Sequence, residues 1–205
     1  MKIFAIGYNY AAYNKENEEP LYNKDYPVVF TKADSALLKD KKPMFLPDDL
    51  GAVECEAALV VRICRLGKSI PERFAHRYYD AVTCGADFTA TSLMARLRSE
   101  GLPWDMAKSF DGAAAIGSWM LLEECGKVDD IRFHLDINGQ TVHSGHTADM
   151  LRTVDHLVAS ISRTFTLRTG DIIFTGSPMP GIEVSVNDHI DGYINGKKVL
   201  EFNVK

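Results

Sequence analysis

With 205 residues, 46% of them hydrophobic and 25% charged, the chain is long enough to bury one sizeable core, and a single domain over 1–205 is expected. A net charge of -5, with adjacent basic residues only in pairs such as Lys41-Lys42 and Lys197-Lys198, excludes a general nucleic-acid binder, whose affinity rests on clustered Lys and Arg. Cys55, Cys64, Cys84 and Cys125 lack CxxC spacing, no stretch approaches the ~20 apolar residues of a membrane helix, and the apolar run before Gly7 is too short for a secretory signal, so a reduced, soluble, cytoplasmic protein is expected.

In chain order, Ile3 to Ile6 reads as a short buried strand ended by Gly7, and the polar stretch from Asn14 to Asp25 as a loop or lid. Pro27 to Thr31 and Val53 to Ile63 read as strands, joined through a Pro-containing connection. Ser69 and Glu72 have capping-box spacing, with Pro71 suited to a first turn, which predicts a helix running to about Asp80. Ala81 to Thr89 is a further strand, and Ser92 to Glu100 a helix closed by Gly101 and blocked by Pro103. Ile131, Phe133, Leu135 and Ile137 alternate with polar residues into Asn138-Gly139, a hairpin signal repeated at Asn195-Gly196. Val154, Leu157, Val158 and Ile161 share one face of a helix over Thr153 to Phe165, and Asp171 to Thr175 is a strand. Many short strands, few helices and no regular βαβ alternation predict a β-rich α+β domain.

Residues two apart on a strand face the same side, so Glu54 and Glu56 project together while Cys55 turns away. Two adjacent carboxylates repel unless a proton or a cation lies between them, and their oxygens suit hard cations such as Mg²⁺, Mn²⁺ or Ca²⁺. From spacing alone, an ordinary exposed sheet face with two glutamates is the commoner arrangement. Asp87 stands in a run of apolar and small residues, Val82, Cys84, Gly85, Ala86 and Phe88, where it reads either as a third ligand or as a turn or cap before the next helix.

The segments ECEAALVV, CGADFTA, GLPWDMAKSFD, INGQTVHSGHTADM and GDIIFTGSP, in this order from about Ile3 to Val204, together resemble the motif series of the fumarylacetoacetate hydrolase family, closest to its short acylpyruvate hydrolase and oxaloacetate decarboxylase branch. The resemblance implies a mixed β-sandwich roll, a homodimer, and a Mg²⁺ or Mn²⁺ ion held by Glu54, Glu56 and Asp87. It places Lys108 where a cation steadies a substrate carboxylate or an enolate, and Thr175 and Gly176, from the TGSP segment, against a substrate carboxylate.

The family pattern Asn-Tyr-Ala-x-His-x-x-Glu falls on Asn9 to Glu16, with Tyr13 in place of the histidine. In hydrolytic members that histidine and the glutamate, here Glu16, activate water; tyrosine, with an ordinary pKa of about 10, is a poorer base. Thr91 stands where Arg is usual, and Met94 and His143 where Gln is common; His143 is a candidate displaced base or substrate contact, against the blander reading of a surface or hydrogen-bonded hairpin residue. The implied activity is metal-dependent hydrolytic C–C cleavage of an acylpyruvate-type 2-oxo acid. The alternatives are decarboxylation or tautomerisation, which need mainly an electron sink and which Tyr13 favours, a catalytically silent metal-binding relative, or an interaction domain without metal.

Overall fold

The computed structural model describes residues 1–12 and 26–205, in the chain order β1 (Ile3–Gly7), β2 (Val28–Lys32), β3 (Leu37–Leu38), β4 (Val53–Ile63), β5 (Tyr79–Ala90), α1 (Thr91–Ser99), α2 (Asp105–Lys108), β6 (Ala114–Ile116), β7 (Met120–Leu121), α3 (Leu122–Cys125), β8 (Arg132–Ile137), β9 (Gln140–His146), α4 (Val154–Thr164), β10 (Ile172–Phe174), β11 (Ile182–Glu183), β12 (His189–Ile194) and β13 (Lys197–Asn203). The larger sheet has nine strands, with the path β2-β1-β10-β4-β5-β6-β3 and with β11 and β7 attached to β4 and β5. It is mixed: β1 runs parallel to β10 and β3 parallel to β6, while β4 and β5 pair antiparallel. The second sheet, in the order β13-β12-β8-β9, contains both Asn-Gly hairpins. The fold is β-rich α+β.

The long β4–β5 ladder organises the molecule because its two faces have opposite characters. Cys55 and Phe88 are register partners on one face, as are Glu56 and Asp87, and Glu54 and Thr89, on the other. The first face packs on the smaller sheet, where Phe88 meets Phe202 edge-on at 6.1 Å and the Cys84 thiol donates to the His134 carbonyl at 3.7 Å. Gly192 makes that approach possible, since a Cβ there would stand 2.8 Å from Cys84 Sγ. Sulfur so enclosed has no water to stabilise a thiolate, and burial pushes the Cys84 thiol up to about 12. The opposite face carries the candidate site.

Two helices follow the sequence patterns closely. Thr153 caps α4 by accepting from the His156 amide at 3.2 Å, and Val154, Leu157, Val158 and Ile161 are buried. Helix α1 closes on Gly101 at φ 67°, with Gly101 N–H donating to Arg98 O and Leu102 N–H to Leu97 O. The segment after Ser69 departs from expectation: it is a 3₁₀ helix confined to Glu72–Arg77, without a side-chain cap. Tertiary bonds take the groups a capping box would need. Ser69 N–H donates to Ser162 O at 2.8 Å, the Ile70 amide donates to Ser162 Oγ, and the Glu72 carboxylate pairs with His156 at 3.1 Å.

Candidate active site

Strand alternation puts Glu54, Glu56, Ala58, Asp87 and Thr89 on one wall of a cavity of about 280 Å³. Val28 and Phe30 of β2, Met94 and Arg98 of α1, Trp104, Lys108 at the end of α2, and Gly176, Ser177, Pro180 and Gly181 after β10 complete it. The size lies at the small end of ligand sites. Asp87 lies inside β5, not at a cap, and is nearly buried.

Two lysines meet these acids. Lys108 Nζ stands 3.6 Å from Asp87 Oδ1 and 3.7 Å from Glu56 Oε2, beyond the ~2.7–3.2 Å of a well-formed hydrogen bond, and 4.9 Å above the Phe30 ring. Its side chain is buried. Lys32 Nζ is enclosed: it donates to Phe88 O at 3.0 Å and Ala113 O at 2.8 Å and forms an ion pair with Asp87 Oδ1 at 2.6 Å. Desolvation pulls the Lys32 ammonium down to about 8, although Asp87 opposes this. Burial raises the Asp87 carboxyl, but Lys108 and Lys32 outweigh that and hold it below its ordinary value. Lys32 was not singled out from the sequence; the only signal is that it shares the strand face of Val28 and Phe30.

The donor set fits a hard dication: three carboxylates face one cavity, outnumber the two ammonium groups, and include no thiolate or imidazole. Gly181 closes over them so tightly that a Cβ would lie 2.8 Å from Glu54 Oε2, 3.0 Å from Glu54 Cβ and 3.4 Å from Glu56 Cγ. Glu56 and Asp87 flank Lys108, and the three acids do not meet at one point. Among the described residues, a group whose ligand atoms all approach within 4.8 Å occurs at His189, Asp191 and Glu201. Lys198, 3.2 Å from Asp191, and Lys41, 2.7 Å from Glu201, already balance that group's charge.

The family model described as fumarylacetoacetate (FAA) hydrolase, C-terminal, matches residues 2–205. The chain belongs to the fumarylacetoacetate hydrolase family. It is 29% identical over 203 residues to the mitochondrial oxaloacetate tautomerase FAHD1 of Mus musculus, covering 99% of this chain and 91% of that protein. A crystal structure of a fumarylacetoacetate hydrolase family protein from Yersinia pestis superposes with TM-score 0.92 at 32% identity, covering 100% of this chain and 93% of that one. The fumarylpyruvate hydrolase of Pseudomonas aeruginosa, solved in complex with Mn²⁺ and pyruvate, does so with TM-score 0.90 at 28% identity, covering 100% and 89%.

The residues matched to fumarylacetoacetate hydrolase motifs take different places. Glu54, Glu56, Asp87, Lys108 and Gly176 all line the cavity. Thr175 does not: its hydroxyl donates back to Leu59 O at 2.9 Å and it is fully buried beneath the loop. Gly176, at φ 104°, crosses so close to β1 that a Cβ would stand 3.0 Å from Ile6 O. His143 is neither on the surface nor on the cavity wall. It is wholly buried, and its Nε2–H donates to Pro180 O at 2.7 Å, because a carbonyl can only accept. Burial lowers its pKa. Tyr13 and Glu16 lie outside the described residues.

Proposed function

We propose that the protein is a metal-dependent enzyme of small 2-oxo acids, and that its chemistry is enolisation, as in the interconversion of the keto and enol forms of oxaloacetate. The observation that carries this reading is the convergence of Glu54, Glu56, Asp87 and Lys108 on one small cavity. Glu54, Glu56 and Asp87 would hold Mg²⁺ or Mn²⁺, which when bound supplies Lewis-acid polarisation of the 2-oxo group. Lys108, with its ammonium held inside the protein, offers a fixed positive charge and donatable protons to a substrate carboxylate or enolate oxygen. The backbone at Gly176 and Gly181, free of side chains, allows the substrate to lie against the loop after β10.

Enolisation is favoured over hydrolysis by where the imidazoles are. Of the six histidines, His143 is engaged under Pro180, His146 pairs with Asp130, His156 with Glu72 and His189 with Asn203, and His134 stacks on Tyr193. None of the six lines the cavity, and none lies in residues 13–25. A water-activating base would have to be a carboxylate, with Glu16 the candidate. Hydrolytic cleavage of an acylpyruvate is kept as the second reading, on the likeness to the fumarylpyruvate hydrolase. A cytoplasmic homodimer belongs to the same proposal, and light scattering of the purified chain checks its dimer part.

The test is an assay of oxaloacetate tautomerisation, oxaloacetate decarboxylation and acetylpyruvate cleavage with Mg²⁺ or Mn²⁺. Tautomerisation is expected to be the fastest and to be abolished by Glu54→Ala. Wild-type protein inert toward both substrates would reject the assignment. Metal binding without turnover would leave a ligand-binding relative in its place.

A further inference from the structure

The loop after β10 lies against the carboxylates and is strung between two points of β4. At its start the Thr175 amide and hydroxyl both donate to Leu59 O. At its end β11 pairs Ile182 with Cys55 and Glu183 with Glu54. These anchors are about 13 Å apart along the strand. Between them stand Pro178 and Pro180, which bring no amide N–H to fasten the loop, and Ser177, whose hydroxyl bonds within the loop by donating to Met179 O at 2.8 Å.

A side chain of the smaller sheet reaches this loop. His143, on β9, is wholly buried, and its Nε2–H donates to Pro180 O at 2.7 Å. A bulge aims it there. Leu135 pairs with His143 but Asp136 with Thr141, so the ladder passes over Val142, and an extra residue of this kind re-aims the side chains beside it. Nδ1 has no hydrogen-bond partner among the described residues, which leaves the Pro180 carbonyl as the one hydrogen bond of the ring.

The Pro180 carbonyl belongs to the same planar, rigid peptide unit as the Gly181 amide. Gly181 lines the cavity beside Glu54 and Glu56, so closely that a Cβ would lie 2.8 Å from Glu54 Oε2 and 3.4 Å from Glu56 Cγ. Any lift or rotation of this peptide therefore changes the space open to both carboxylates. Like charges drive the two apart once the wall against them yields.

We propose that His143 is a positioning residue: by tethering Pro180 O it holds Gly181 against Glu54 and Glu56 and keeps their carboxylates in the arrangement that binds a divalent metal. The inference rests on the reading of Glu54 and Glu56 as metal ligands.

Calorimetric titration of Mn²⁺ into the purified full chain tests it, with His143→Gln, His143→Asn and His143→Leu beside the wild type. A glutamine amide reaches about as far as Nε2, an asparagine amide only about as far as Nδ1. His143→Gln is expected to bind Mn²⁺ close to the wild-type value. His143→Asn and His143→Leu are expected to bind about ten-fold more weakly, the scale of groups that orient metal ligands, while near-UV circular dichroism shows a folded chain. A histidine with a merely structural role would shift the unfolding midpoint and leave the Mn²⁺ affinity of the folded protein alone. His143→Leu binding as tightly as the wild type, or His143→Asn as tightly as His143→Gln, overturns the inference; if His143→Leu does not fold, the comparison of Gln with Asn decides by itself. Glu54→Ala separates the two levels. Mn²⁺ binding lost in Glu54→Ala but unchanged in the His143 variants sinks only the role of His143, whereas binding unaffected by Glu54→Ala sinks the ligand reading and this inference with it.

Discussion

Replacing Lys32 by methionine keeps most of the side-chain volume and removes the charge, which isolates the electrostatic part of the site. Lys32 has a fully enclosed side chain, and the Asp87 side chain is only 10% exposed. Without the ammonium, Asp87 keeps only the longer contact to Lys108, and Phe88 O and Ala113 O each lose a donor. Breaking a buried pair from one side costs about 3–5 kcal/mol, because the remaining charge is left uncompensated; Ala113 O still accepts from the Phe88 N–H at 2.9 Å, so the lost donors add less than the ~1–3 kcal/mol of a buried acceptor left wholly unpaired. Water entering from the cavity relieves part of this, so a net loss of about 3–5 kcal/mol is expected, a large share of the ~5–15 kcal/mol that holds a domain together. Urea unfolding of the metal-free protein measures it. The double variant Lys32→Met with Asp87→Asn removes both charges, and should recover at least about 2 kcal/mol relative to additive losses. A loss below about 1 kcal/mol for Lys32→Met, or strict additivity in the cycle, would refute the argument that this pair is a buried and mutually dependent unit.

Gly181→Ala should press a methyl group on Glu54 and weaken Mn²⁺ binding about ten-fold in calorimetry with the fold retained, the scale seen when support around metal ligands is altered; unchanged affinity would mean that Glu54 is not a ligand or that the loop yields freely. Asn9 uses its whole amide, donating to Arg152 O and Thr175 O and accepting from Arg152 N–H, so Asn9→Ala should cost about 2–4 kcal/mol in urea unfolding, by leaving these backbone groups unpaired. His143 is held neutral when folded, with its pKa below the ordinary 6.5. The unfolded chain therefore binds the proton first, and the stability this group contributes is complete above pH 6.5 and is lost as pH falls through the lowered folded value. His143→Gln, which keeps a donor for Pro180 O, should flatten the fall in stability below pH 6.5 by up to about 1.4 kcal/mol per pH unit; identical slopes for both proteins would show that the imidazole does not titrate on unfolding.

Sequence alone determined what depends on local periodicity. The Val, Leu and Ile content of residues 53–63 gave β4 its bounds, and the two-residue period of a strand set Glu54 beside Glu56; the apolar spacing from Val154 to Ile161 and the Thr153 cap gave α4; the two Asn-Gly pairs gave the hairpins. Each rests on forces acting within a few residues along the chain, so the pattern is visible without knowing the partners. The apolar run around Asp87 singled it out, and the motif resemblance joined it to Glu54 and Glu56 and added Lys108, which spacing could not do. The capping box at Ser69 and Glu72 failed for the converse reason: Ser162 and His156, some 84–92 residues away, take the groups it needs.

Tertiary structure alone decided the rest. Only the antiparallel register that sets Glu56 opposite Asp87 turns two separate acids into one wall. Only the first strand pair, reaching across the sheet edge, brings Lys32 to Asp87, through an acceptor shell supplied by Phe88 and Ala113, residues 56 and 81 positions away. His143 shows the same limit. Its hairpin position says nothing about the Pro180 carbonyl 37 residues later that buries it and fixes its proton. The strand pattern is written in the chain because hydrophobic burial repeats with the backbone's own period; the pairing of charges is not, because a buried ion's partner is chosen by the closed fold, where the cost of leaving it alone is highest.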